Sequence, residues 1–90
     1  MDKNYEIKIG KETFTLVLRM PKFEEVAYGF SQLQAKQTHL DMIGGGKAIF
    51  DTCKVSCAKE IEFNPQIMLR LCLQLAEEYI MPVEETFKKK

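Results

Sequence analysis

Tyr5-Glu6-Ile7-Lys8-Ile9 and Glu12-Thr13-Phe14-Thr15-Leu16-Val17-Leu18 flank the dipeptide Gly10-Lys11, and this stretch, 5–18, decides the fold class. Apolar and polar residues alternate on both sides of the dipeptide, the period of a strand with one buried face. Gly10-Lys11 suits a two-residue turn with Gly first, so the two strands form a β-hairpin. A hairpin alone is marginal in water. Ile7, Ile9, Phe14, Leu16 and Leu18 must therefore lie on other elements, and the rest of the chain reads as helix.

Pro21 ends the second strand and opens a helix over 21–36, with Glu24 and Glu25 placed to favour its dipole. Phe23, Val26, Ala27, Phe30 and Leu33 fall within an arc of roughly 120°, an ordinary core-facing stripe. Gly29 weakens this helix by about 1 kcal/mol relative to Ala and allows a close approach of another element. Gly44-Gly45-Gly46 reads as a break or hinge. A second helix follows over 46–57, with Ile49, Phe50, Cys53 and Cys57 on one side. Residues 58–63 read as a short polar connection.

The last helix, 65–81, has Asn64 as N-cap and Pro65 at its first position. Its apolar residues cover an arc of roughly 200°, twice the stripe a surface helix needs. Met68, Cys72, Leu75 and Tyr79 form one edge, and Leu69, Leu73, Ala76 and Ile80 form the other. Either two neighbours cover this helix within the monomer, or the edge Leu69, Leu73, Ala76 and Ile80 receives a partner helix. Met81-Pro82 ends or interrupts it, and 88–90, three lysines, reads as a frayed tail.

Ninety residues make one domain, 1–90, near the small end of what folds alone. The hydrophobic share of 46% and charged share of 29% are those of a globular chain. Thirteen basic and thirteen acidic side chains cancel, so no net field recruits nucleic acid or an anionic membrane. Small size and zero net charge favour self-association or a binding partner. No segment is apolar enough to span a bilayer, and the charged start lacks the apolar stretch of a signal peptide. Three cysteines give no disulfide framework, and a reducing cytoplasm is the simplest compartment.

No reaction can be assembled from these residues. Cys53 and Cys57, one helical turn apart, lack the further ligands of a structural zinc site, since Cys72 and His39 match no known spacing. Packed with Ile49 and Phe50, the cysteines read as small hydrophobes. His39, the single histidine, has Asp41 near it but no nucleophile. Gly44-Gly45-Gly46-Lys47 is followed by Ala48 and preceded by no strand, so it is not a phosphate loop. No catalytic residue, metal or cofactor is expected.

One resemblance extends over 5–87. Leu16-Val17-Leu18-Arg19-Met20-Pro21-Lys22-Phe23-Glu24-Glu25 leads into an amphipathic helix. Ile49-Phe50-Asp51-Thr52-Cys53-Lys54-Val55 and Glu60-Ile61 follow, before a Pro-led helix with Leu73-Gln74-Leu75-Ala76-Glu77. This pattern resembles small tail-assembly-chaperone-like proteins of phage and prophage structural clusters. It departs from them at Lys54, where an aromatic is frequent, and at Ser56-Cys57-Ala58-Lys59, where a Gly-Asp turn is usual. The resemblance implies a non-enzymatic protein that holds a helical tape-measure protein soluble, in the cytoplasm of a bacterium or infected host cell, until tail subunits assemble around it.

The expectation is thus an α+β domain: an N-terminal β-hairpin packed on a three-helix bundle, homo-oligomeric, and binding a protein partner through Leu69, Leu73, Ala76 and Ile80. Two other readings stand beside the chaperone. One is a structural virion subunit of the neck or connector type, and the other is a small regulatory nucleic-acid binder. The neutral charge argues against the latter.

Overall fold

The computed structural model describes residues 2–34 and 41–81. Expectations for the end of the first helix, for His39 and for the lysine tail lie outside these residues. The fold is α+β, with strands β1 (Asp2–Ile9), β2 (Glu12–Arg19) and β3 (Lys54–Cys57) and helices α1 (Phe23–Leu33), α2 (Met42–Cys53), α3 (Lys59–Glu62) and α4 (Pro65–Tyr79).

The hairpin forms as its alternation requires. Ile9 pairs with Glu12 around the Gly10-Lys11 turn, and the register runs through Ile7–Phe14 and Tyr5–Leu16 to Asp2–Arg19. Gly10 has φ +65°, a conformation other residues adopt at a cost, and no other described residue has positive φ. Leu16 and Leu18 are fully buried on the inner face, while Ile7, Ile9 and Phe14 are half-buried.

The sheet has a third strand, which corrects the expected hairpin and the expected helix over 46–57. The chain leaves helical geometry at Lys54 (φ −62°, ψ 121°), and β3 pairs antiparallel with β2, giving the order β1-β2-β3. Leu16 pairs with Cys57 and Leu18 with Lys54, with a register shift that leaves Val55 as a bulge. Cys53 and Cys57 therefore do not share a helical face. The polar connection also contains a helical turn, α3, whose Ile61 is fully buried.

The three consecutive glycines correct the expected break. They lie in the first two turns of α2, which starts at Met42 behind the N-cap Asp41, whose carboxylate accepts from Gly44 N at 2.9 Å. Gly46 sits directly on the backbone of α4: a Cβ there would lie 1.7 Å from the Cys72 carbonyl oxygen. A Cβ on Gly45 would lie 3.2 Å from the Gly29 carbonyl of α1, and one on Gly29 would lie 2.8 Å from Ile80 Cδ1. Missing side chains thus let α1 and α4 each approach α2 closely around Leu33, Ile49, Phe50, Leu75 and Ala76.

The α1 stripe is also corrected. Gly29 and Leu33 are its buried residues, whereas Phe23 is 83% exposed and Phe30 is exposed. The wide face of α4 does have two neighbours. Cys72 meets α2 at Gly46, and Tyr79 reaches β1, its hydroxyl 2.8 Å from that of Tyr5.

Arg19, at the end of β2, ties the sheet to both first helices. It donates to the two carboxylate oxygens of Glu25 at 2.7 and 2.5 Å and to the Thr52 carbonyl at 2.9 Å. Glu25 also accepts from Lys22 N at 2.8 Å. The guanidinium first, and then this amide, hold the Glu25 carboxyl at a pKa of about 2 against an ordinary 4.5. Between these values the unfolded chain binds more protons than the folded one, so stability rises with pH across the window. The contribution of Glu25 is therefore complete above about pH 4.5 and is lost as the pH falls towards 2. Urea midpoints of the wild type and Glu25→Gln should differ at neutral pH and converge towards pH 2. A gap that persists unchanged at low pH would mean that the ionised pair does not stabilise the fold.

Candidate functional site

A groove of about 630 Å³ runs between α2 and the start of α4, closed at one end by α3. Helical spacing builds both walls. Ile43, Lys47 and Phe50 follow one another at i, i+4 and i+7 on α2, while Pro65, Met68, Leu69 and Cys72 line α4. Phe63, the C-cap of α3, and Glu62 complete it. The floor is made by Phe50 and Cys72, both buried. The upper walls are apolar and open to solvent: Phe63 is 75% exposed, Leu69 45% and Ile43 44%.

The rim carries charge of both signs, already paired. Lys47 bonds both carboxylate oxygens of Asp51 at 2.7 and 2.8 Å, and Lys54 bonds Glu62 at 2.9 Å. The two ammonium groups also stand 5.9 and 5.4 Å from the centroid of the Phe50 ring, within range of its π face. Glu62 raises the Lys54 pKa, chiefly through their hydrogen bond. An apolar floor inside a neutralised polar rim is the usual anatomy of a protein-binding patch.

The four residues expected to bind a partner divide between surface and core. Leu69 is exposed and lines the groove, and Leu73 is half-buried. Ala76 and Ile80 are buried in the monomer, Ala76 completely, and this corrects their assignment to an interaction edge. The close approach at Gly29 and Gly45 brings α1 and α2 over that end of α4, and Ile80 Cδ1 fills the space. Ile43, Phe50 and Phe63 also belong to the groove, as do Met68 and Cys72, which the helical spacing placed on the edge opposite the expected partner site. The i, i+4, i+7 spacing of Ile43, Lys47 and Phe50 carries the signal for two walls, but only if the glycine run is read as helical.

The remaining chemistry is accounted for by packing. Burial, before any other influence, pushes all three thiols above their ordinary pKa, which disfavours the reactive thiolate. Cys53 Sγ points at Glu25 Oε1 from 3.9 Å. Among the described residues no three histidine, cysteine or acidic side chains gather as metal ligands, and no helix is long and apolar enough to cross a membrane. At the amino end of β1, Lys3 bonds Glu78, and the Tyr5 hydroxyl donates to the same carboxylate at 3.0 Å. Burial first, and then the hydrogen bonds to Tyr79 and Glu78, raise the Tyr5 pKa. The contacts of Lys3 and Tyr5 with Glu78 and Tyr79 clasp β1 to the end of α4.

Comparison of the chain with protein-family models, curated proteins and solved structures returned no match.

Proposed function

We propose that the protein is a non-enzymatic binding module that holds an apolar helical segment of another structural protein in the groove between α2 and α4. The observation that carries this reading is the open apolar channel over Phe50 and Cys72, walled by Ile43, Phe63, Met68 and Leu69. Its walls follow two adjacent helices for about two turns each, roughly 10 Å, the footprint of an amphipathic helix with anchors at i, i+3 and i+7. Met68 gives the wall an adaptable contact, suited to a client that is held and then released. The resemblance to tail-assembly chaperones makes a tape-measure protein of a phage or prophage the favoured client, met in the bacterial cytoplasm before assembly.

The test is a titration of the labelled protein with an apolar helical segment of a tape-measure protein. Methyl resonances of Ile43, Met68 and Leu69 should shift saturably, and those of Leu16 and Leu18 should stay in place. Absence of binding, or shifts centred on Phe23 and Phe30 instead, would sink the proposal.

A further inference from the structure

The two edges of the sheet are treated differently. The β3 edge is four residues long and carries the Val55 bulge, devices that discourage further pairing. The β1 edge is eight residues long, regular in register, and bonded to no other strand among the described residues.

The hairpin dictates which backbone groups that edge presents. A two-residue turn closes on the hydrogen-bonded pair Ile9–Glu12, and hydrogen-bonded pairs then alternate along the ladder. Thr15 O confirms the phase, because it points away from β1 and accepts from Ala58 N at 3.3 Å. Residues 3, 5, 7 and 9 thus bond β2, and Asp2, Asn4, Glu6 and Lys8 offer their N–H and C=O groups outward.

We propose that this edge pairs antiparallel with the β1 edge of a second copy, joining two three-stranded sheets around a two-fold axis at Tyr5. The solvent-face side chains select that register. With Tyr5 opposite Tyr5, each Asp2 faces a Lys8 and each Asn4 faces a Glu6, so both ends of the seam are ion-paired. About eight interchain backbone hydrogen bonds form. Sliding by one pleat in one direction sets Glu6 against Glu6. Sliding in the other sets Asp2 against Glu6 and Asn4 against Asn4. Both slips lose backbone bonds and juxtapose like charges.

The inner face beside the edge is prepared for an added strand. Tyr5 and Ile7 are only half-buried there, and with Ile67, Arg70, Leu71 and Gln74 of α4 they line a groove of about 260 Å³. In the selected register the second copy's Tyr5 and Ile7 point into this side, and Lys3, already neutralised by Glu78, lays its aliphatic stem opposite Ile7.

Sedimentation over a concentration series tests the pairing in the full chain. The wild type should dimerise, and Lys8→Glu should weaken the dimer at least about tenfold by opposing Asp2 at two symmetric positions. Asp2→Lys combined with Lys8→Glu should restore it, and Leu69→Asp in the separate groove should leave it unchanged. Circular dichroism would establish that each variant is folded. A wild type that stays monomeric, a double variant that is not restored, or a dimer that Leu69→Asp dissolves would each overturn the proposal.

Discussion

Replacing Gly46 with alanine is expected to cost at least about 3 kcal/mol and to lower the melting temperature by more than about 12 °C. The added Cβ would lie 1.7 Å from the Cys72 carbonyl oxygen and 2.5 Å from its carbonyl carbon. Those atoms belong to a helical backbone and cannot swing aside, so α2 and α4 must separate along their contact. Separation opens space around Phe50, Leu75 and Ala76, three of the most deeply buried side chains, and loss of such contacts is what makes core changes costly.

The neighbouring glycines provide the control. At Gly44 the atoms nearest the new Cβ all belong to the Asp41 carboxylate, a side chain rather than a backbone. Displacing that cap costs about 1 kcal/mol, and alanine returns about as much in helix propensity. Gly44→Ala should therefore unfold within a few degrees of the wild type. Gly45→Ala, 3.0 Å from Leu33 Cβ, should fall between the two. Thermal unfolding of the three variants, followed by circular dichroism, reads this order directly. Equal small shifts would mean that α2 and α4 are not held in contact at Gly46.

The same glycines show where sequence reading stops. A Gly run has the composition of a loop, because each Gly weakens a helix by about 1 kcal/mol. It becomes an asset only when another backbone fills the space of the missing side chain, and that backbone, Cys72, is 26 residues away in the chain. Gly29 misdirects the reading of α1 in the same way. Apolar spacing points to Phe23 and Phe30, whereas the buried face is centred on a residue with no side chain. β3 is hidden because Cys53 and Cys57 mimic a helical repeat, and a strand of four residues that pairs only with distant β2 leaves no alternation to detect. The hairpin is legible because both its period and its turn are local. The N-terminus of α4 is legible for the same reason: Asn64 accepts from Ile67 N at 3.2 Å, with Pro65 next to it. Of the groove's α4 side, only Leu69 lies on the edge that the spacing assigned to a partner, whereas Met68 and Cys72 lie on the edge opposite. The groove's other wall depends on the helix that the glycines disguise.

Leu69→Asp is expected to weaken binding of the proposed helical client at least about 30-fold, corresponding to a central contact worth about 2 kcal/mol, while changing stability by less than about 1 kcal/mol. Leu69 stands on the groove wall with nearly half its surface in water, so an aspartate there keeps its hydration in the free protein. In the complex the carboxylate would be buried beside Phe63 and Met68 without a partner, since Lys47 and Lys54 are engaged with Asp51 and Glu62. Ile80→Asp, on the same edge of the sequence-derived helical wheel, should behave in the opposite way. Its side chain is packed against Gly29 and Gly45, and a charge there should unfold the protein before binding can be measured. Calorimetric titration of the client, paired with urea unfolding of each variant, separates the two effects. If Leu69→Asp binds as tightly as the wild type, the groove is not the client site. If Ile80→Asp is folded and only its binding is lost, the partner edge runs the full length of α4 and the core must be redrawn around Ile80.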